Sequence, residues 1–413
     1  MSAFSLASLF REKVSKIKDA RMSLETAPDY SYPTGFLTFD YMNGTVVHVK
    51  KDDMDFTYDS IGIVDGSMVT VIGRSGCGKT TWTVQSAANI ARPFPNSCIY
   101  MDSLEGGIVE TRISTLTKLY GDDLTKRFIS RNTGITAENF YERIKIVHDL
   151  KMEHSEEFMY DTGAYSSTGK KIHKMVPTPY ILDSLALLMP DKYADEEELS
   201  GQMSATAAAK TNTSVFKKIV PLLKAANIIL FVINHITEQV DISMFSKSQG
   251  QLSYLKQGER LGGGRAAIYV TNLLIRLDDH SKLKEDEGFG IDGTLVDFTL
   301  LKSRTAHAGS KITLVFNYDT GFDPELSLLY FLKTQKLLNG AGAYLYIGDR
   351  SDLKFSQKQF KSKLRESEEF RQIFSEYAAT ALRTLITDVN EQMSVEDDGF
   401  DLVSNILSVG QCA

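Results

Sequence analysis

Gly73-Arg74-Ser75-Gly76-Cys77-Gly78-Lys79-Thr80 is the stretch whose residue types and spacing most directly imply chemistry. It fits the pattern G-x-x-x-x-G-K-[ST], and Thr81 continues it into a helical segment. Glycines at 73, 76 and 78 let successive backbone N–H groups curl around a polyphosphate, and a helix start adds partial positive charge. In that setting the Lys79 ammonium reaches the β- and γ-phosphates, and the Thr80 hydroxyl holds Mg²⁺. The implied ligands are therefore ATP and Mg²⁺.

Other chemistry-bearing residues stand at the ends of apolar runs. Ser97-Cys-Ile-Tyr-Met-Asp102-Ser-Leu-Glu105-Gly-Gly107 reads as a buried strand running into acids and glycines. Carboxylates there suit Mg²⁺ handling or activation of an attacking water, with Glu105 the candidate base and Asp102 the alternative. Pro179-Tyr-Ile-Leu-Asp183-Ser184 is a second apolar strand ending in an acid, which suits the Mg²⁺ shell. Ile228 to Ile233 is a third, ending in Asn234-His235. A lone histidine is often structural, but one at a strand end in the same sheet can sense a γ-phosphate. Lys302-Ser-Arg304 closes the run Val296 to Leu301, and two cations spaced i, i+2 point to the same side. They are either an exposed pair or cations on γ-phosphate charge, supplied from a neighbouring subunit.

The elements that must position these residues follow from the apolar pattern. Val69 to Ile72 reads as a strand, Trp82 to Ala91 as a helix, 108–150 as largely helical and 205–226 as a helix. Strands resume at Leu273–Leu277, Val296–Leu301 and Ile312–Phe316. Alternation of strands and helices predicts an α/β fold: a mainly parallel central sheet flanked by helices, with a phosphate-loop ATPase core. Residues 1–32 carry Phe4, Leu6, Leu9, Phe10, Val14 and Ile17 at helical spacing, for packing on this chain's core or on a neighbour. The core spans 33–335. A C-terminal α-rich region, 336–413, contains the acidic stretch Ser394-Val-Glu-Asp-Asp-Gly399. Residues 33–68 read as turns and an apolar approach to the loop. Residues 153–176 read as a polar surface insertion of hairpin type, its Lys170-Lys171 pair either solvated or a basic contact.

Residues 236–265 are polar and rich in Gly, Ser and Gln. Phe245, Lys247, Tyr254, Lys256, Arg260 and Arg265 are interleaved with Gly262-Gly263-Gly264. So long a loop in a compact domain is usually functional. Cations among aromatics and glycines suit a single-stranded nucleic-acid backbone; the other reading is a lid without a ligand.

Composition narrows the classes. With 413 residues, 42% hydrophobic and 24% charged, the chain is long enough for a large core. A formal net charge of -7 excludes a global basic field, so any nucleic acid must be held by a local patch. Cys77, Cys98 and Cys412 form neither a zinc pattern nor a disulfide framework, which points to a reducing, cytoplasmic setting. No apolar run is long enough to span a membrane, and the N-terminus lacks a signal-peptide core.

With these residues in hand, the chain resembles the RecA-type recombinases, most closely the UvsX recombinases of large tailed phages. The phosphate loop carries the resemblance, with Tyr180-Ile-Leu-Asp183-Ser-Leu, Val232-Ile-Asn-His235, Met244-Phe245-Ser-Lys247 before Gly262-Gly-Gly264, Lys302-Ser-Arg304-Thr305 and Gly321-Phe-Asp-Pro324 in order. It covers about residues 33–335. The resemblance implies a helical filament on single-stranded DNA, with ATP between subunits, that pairs this strand with a homologous duplex. It implies that Lys79, Thr80 and Asp183 bind MgATP, Glu105 activates water and His235 couples phosphate to the DNA loop. Lys302 and Arg304 would act in trans, and Lys210 would supply a cation for the DNA backbone. Mediator and single-strand-binding proteins would be further partners, in the cytoplasm of a bacterial host. The spacing Asp102-Ser-Leu-Glu105 is one residue longer than in that family and resembles the Ser-Leu-Glu of hexameric replicative helicases. A ring helicase is thus one alternative. A regulatory ATPase that binds no DNA, favoured by the acidic balance, is another.

Overall fold

The computed structural model describes residues 29–386, apart from 52, 195–200, 239–254, 257, 263–265, 286–287 and 342–343. The N-terminal element expected within 1–28 and the acidic stretch at 394–399 lie outside the described residues.

After a short strand, Ser31–Tyr32, which pairs with Ile63–Val64, come a helix, α1 (Leu37–Met42), and a hairpin, β1 (Thr45–Lys51) with β2 (Met54–Ser60). The sheet begins with β3 (Met68–Gly73), every residue of which is buried, and helix α2 (Lys79–Ala91) follows. Then come β4 (Ile99–Ser103), β5 (Phe128–Arg131), α3 (Ala137–Glu153), a second hairpin β6 (Met159–Tyr165) and β7 (Lys171–Met175), and β8 (Thr178–Asp183). Helix α4 (Gly201–Ala226) leads to β9 (Ile228–Glu238), and β10 (Glu259–Leu261) pairs back on its end. The run closes with β11 (Leu273–Leu283), β12 (Gly293–Lys302), β13 (Lys311–Asn317) and β14 (Gly321–Asp323).

These strands form a ten-stranded sheet in the order β14-β13-β12-β11-β3-β9-β8-β4-β5, with β10 beside β9. From β5 to β11 neighbouring strands are parallel; β12, β13 and β14 add antiparallel pairs. The expected α/β architecture, a large and mostly parallel sheet flanked by helices, is observed.

Two apolar layers hold it. Odd-numbered residues of the central strands (Val69, Val71, Met101, Ile181, Phe231, Ile233) join α2 in one core around Trp82, which is fully buried. Phe39, Phe231 and Phe298 meet the Trp82 ring edge-on or tilted. Even-numbered residues (Met68, Tyr180, Leu182, Leu230, Val232) face the other way, against Phe140 and Ile144 of α3 and Phe216 and Ile219 of α4. This alternation follows from the two-residue period of a strand buried on both faces, and it decides which strand-end residues share a site. A third core joins Leu326, Leu329 and Leu332 of the helix Pro324–Thr334 to Phe355, Phe360, Phe370 and Phe374. Among the described residues, no helix is long and apolar enough to cross a membrane.

Several local readings need correction. Phe128–Arg131, expected inside a helical stretch, is the edge strand of the sheet. The approach to the loop is not simple turns: Thr45 to Ser60 alternates apolar and polar residues and forms a hairpin. The 236–265 segment is not loop throughout, since Ile236–Glu238 and Glu259–Leu261 pair as a ladder. Beyond residue 336 a three-stranded sheet precedes the helices Phe360–Glu366 and Glu368–Arg383.

One buried acid gives a test of the fold's electrostatics. Asp40 is fully buried; its Oδ1 accepts from Thr34 N and Thr34 Oγ1 at 2.8 and 2.7 Å, and its Oδ2 from Gly35 N at 3.1 Å. Burial outweighs these donors and pushes its carboxyl up to about 7. An acid whose folded pKa is raised stabilises the fold fully below its unfolded pKa, and this contribution is lost as pH rises through the folded value. Chemical denaturation should therefore show stability from this group falling between about pH 4 and 7. In Asp40→Asn that part of the slope should be flatter.

Candidate functional site

The carboxyl ends of β3, β9, β8 and β4 lie side by side. Registers place Gly73 opposite His235, Ile233 opposite Asp183, and Asp183 opposite Ser103. Ligands of open α/β sheets bind at this edge.

The glycine-rich loop turns there. Gly76 and Gly78 have φ of +85° and +84°, which side chains with a Cβ rarely adopt. A Cβ on Gly73 would stand 2.6 Å from Leu277 O, so the loop start tolerates no side chain. Gly78 caps α2, and its carbonyl accepts from Trp82 N at 2.9 Å. Arg74, Ser75 and Gly76 face solvent, Cys77 is buried, and Thr81 follows Thr80 in the first turn of α2. Cys77 Sγ donates to Arg74 O at 3.0 Å.

Lys79 is 4% exposed, and its Nζ donates to Arg74 O at 2.7 Å. Burial pushes its pKa below the ordinary lysine value, while Cys77, Asp183 and Glu105 pull it back up. Thr80 Oγ1 donates to Asp183 Oδ2 at 2.7 Å, which ties the loop to the end of β8. Asp183 is 3% exposed, and its Oδ1 has no hydrogen-bond partner. Burial raises the Asp183 carboxyl, the Thr80 bond lowers it, and Glu105 raises it further. This pair of oxygen donors, one fixed by Thr80 and one unpaired, fits the hard, oxygen-seeking Mg²⁺ expected for Thr80 and Asp183.

Glu105 reaches the same place because the end of β4 is stitched to β8: Leu104 N donates to Asp183 O. Glu105 Oε1 lies 2.6 Å from His235 Nε2, without the alignment of a hydrogen bond. Donor atoms of Glu105, Asp183 and His235 all fall within 4.8 Å of one another. A half-exposed carboxylate there is placed to take a proton from a water.

Asp102, the alternative to Glu105, is excluded by the pleat. It points to the opposite face, fully buried, where Tyr180 OH donates to Oδ2 at 2.6 Å and Arg143 bonds Oδ1. Sequence reading missed Arg143 and Tyr180; the signal was strand alternation, which puts Asp102 and Tyr180 on the same side. Asn234 was missed likewise. It faces away from His235, and its Nδ2 donates to Gly262 O at 2.9 Å, anchoring the end of the long loop to the residue beside His235.

At the root of that loop, Arg276 makes a two-pronged bond to buried Glu259, Nη1 to Oε2 at 2.7 Å and Nη2 to Oε1 at 2.8 Å. This bond holds the Glu259 carboxyl below its ordinary pKa. Arg260 is exposed, and Lys256 is exposed with its Nζ 3.9 Å from Asp278 Oδ1. Lys210 is exposed on α4. Phe245, Lys247, Gly263, Gly264 and Arg265 lie outside the described residues.

Lys302 and Arg304 are not brought to the glycine-rich loop of their own chain. Lys302 pairs with Leu274, which pairs with Thr70, three positions before Gly73, and β12 runs away from the loop. Lys302 Nζ donates to Tyr269 O at 3.2 Å, and burial and Arg304 lower its pKa. Asn43 holds the next turn: Ser303 Oγ donates to Asn43 Oδ1, and Thr305 Oγ1 to Asn43 O, both at 2.8 Å. Arg304 lines a 270 Å³ hollow with Asp29, Gly66 and Lys224, at the sheet's other end.

No protein-family model matches the chain. A recombination and repair protein of Enterobacteria phage T4 is 23% identical to it over 269 residues, 65% of this chain and 58% of that protein. The chain thus matches a little under three-fifths of the phage protein's length. This distant, partial similarity supports at most a relationship to RecA-like proteins, whose core the large, mostly parallel α/β sheet fits.

Proposed function

We propose that this chain is an ATP-hydrolysing recombinase that assembles as a helical filament on single-stranded DNA and pairs it with a homologous duplex. The observation that carries the reading is the meeting of Lys79, Thr80, Asp183, Glu105 and His235 at one sheet edge beside a glycine-rich loop. The similarity to a phage recombination and repair protein supports it.

In this reading the loop's backbone N–H groups and Lys79 bind the phosphates, and Lys79 offsets charge that grows in the transition state. Thr80 and Asp183 hold Mg²⁺, which would screen the phosphate oxygens. Glu105 accepts the proton of the attacking water, and His235 meets the γ-phosphate. Since Asn234 next to it anchors Gly262, a shift of His235 is passed to the 236–265 loop, the proposed DNA contact. Lys302 and Arg304 belong to the neighbouring copy's site. Comparing ATP hydrolysis with and without single-stranded DNA, alongside a strand-exchange assay, tests the reading. Hydrolysis indifferent to DNA, together with no exchange, would leave the regulatory ATPase instead. The Asp102-Ser-Leu-Glu105 spacing favours a ring helicase as second reading; imaging with ATP and DNA separates closed rings from open filaments.

The loop assignment has its own test. The net charge is -7, so affinity for a polyanion must come from local cations. Each phosphate contact removed on a single strand should reduce the salt slope of log affinity by about 0.7. Lys247→Ala, Lys256→Ala and Arg260→Ala together should weaken binding and flatten that slope by about 2. ATP binding without DNA should be unchanged. An unaltered slope moves the DNA path elsewhere, the Lys170-Lys171 hairpin being the next place to look.

A further inference from the structure

We propose that, in the absence of nucleotide, Glu105, Asp183 and His235 form a direct binding site for a zinc-type divalent ion. This is a different ligand set from the oxygen pair expected to serve Mg²⁺ with ATP, and it needs neither ATP nor DNA.

Three observations carry it. Donor atoms of the three side chains lie within 4.8 Å of one another. Asp183 is 97% shielded from solvent, yet its Oδ1 has no partner. His235 Nε2 and Glu105 Oε1 approach to 2.6 Å, an ion-pair distance, without the line of a hydrogen bond, so both donor atoms already face one another at the place where a third body would sit. The two carboxylates offset the charge of a divalent ion bound with the imidazole, and the Lys79 ammonium, within electrostatic reach of both acids, is left as the remaining charge of the site.

Ligand type selects the metal. Mg²⁺ wants near-octahedral oxygen and keeps its waters. An imidazole with carboxylates instead suits Zn²⁺, with three protein ligands and a fourth position left open. Zinc bonds of about 2.0–2.2 Å put tetrahedral donors roughly 3.3–3.5 Å apart. The adjustment this asks falls on Glu105, which is half-exposed and followed by Gly106 and Gly107 at φ of +97° and +81°. Asp183 need not move, because Thr80 already fixes its Oδ2 from behind at 2.7 Å, as the outer partners of metal ligands do. Lys79 does not block the centre, since its Nζ is turned to Arg74 O. A bound ion engages both the carboxylate that would take the water's proton and the histidine that would meet the γ-phosphate. Zinc therefore inhibits ATP turnover, and a chelator reverses it.

The test uses the full chain, free of nucleotide and DNA, titrated with zinc chloride in a calorimeter and with Co²⁺ by visible absorption. Expected is one ion per chain, a tetrahedral Co²⁺ spectrum, and binding that excess Mg²⁺ does not displace. His235→Ala and Glu105→Gln should each weaken binding by about tenfold or more. The Cys98→Ser, Cys412→Ser double variant should bind as the parent does, which excludes ligation by these two thiols outside the glycine-rich loop. Circular dichroism melts check that the variants fold; should His235→Ala fail, Glu105→Gln, on an exposed segment, carries the test. Absence of binding, displacement by Mg²⁺, loss of binding in the cysteine variant, or parent-like affinity in the folded variants overturns the proposal. None of these outcomes depends on whether the protein acts on DNA.

Discussion

Lys79→Ala is expected to lower ATP turnover about 100-fold or more, because one cation on developing phosphate charge in a water-poor site is worth roughly that much. The surroundings make the effect specific. Lys79 is 4% exposed and within electrostatic reach of Asp183 and Glu105, so a neutral side chain leaves two carboxylates facing a polyphosphate. The fold should survive. The bonds lost are one to the carbonyl of exposed Arg74 and a long one to Cys77 Sγ, and removing a buried ammonium also removes its desolvation cost. The measurement is turnover at saturating MgATP beside an unfolding curve. Near-normal turnover in a folded variant would sink the nucleotide-site assignment.

Neutralising Lys302 and Arg304 together should cost about 10³-fold in DNA-stimulated turnover, the lower bound for arginine supplied across an interface. Nucleotide binding by isolated subunits should stay near normal, because both residues lie at the other end of the sheet from their own loop. Mixing gives the sharper result. The double variant offers a sound loop and a defective cation pair; Lys79→Ala offers the reverse. Equal parts should regain a fraction of parental turnover that neither shows alone. If no mixing ratio restores any hydrolysis, the cations do not act across subunits.

Much of the site was legible because it is local. Val69–Ile72, the glycines and Lys79-Thr80 stand within a dozen residues, and each strand announced itself as an apolar run ending in a polar residue. What pairs across the sheet was not legible: Glu105 and His235 are joined only because β4, β8 and β9 lie side by side. The exclusion of Asp102 could have been reasoned, since it sits one position out of phase with Met101 and Ser103 on the pleat. The β1–β2 hairpin was missed although Val47-His-Val-Lys and Asp55-Phe-Thr-Tyr alternate cleanly. Its charged positions masked a strand signal that buried runs give more loudly. The ladder at Glu259–Leu261 was hidden because a three-residue strand depends on its partner and on the Arg276 bond to Glu259.

The placement of the glycine-rich loop and the Lys302-Arg304 pair at opposite ends of one sheet has an arithmetic consequence. Under the proposed trans arrangement, a lone subunit carries two half-sites and no whole one. An open row of n copies completes n − 1 sites and ends in one unused half at each tip, whereas a closed ring of n copies completes all n. Turnover per subunit in a row should therefore climb with row length and stall when the rows are sheared short. In a ring every subunit shares in a complete set of sites, so turnover per subunit would be the same for any ring size and indifferent to shearing of the DNA.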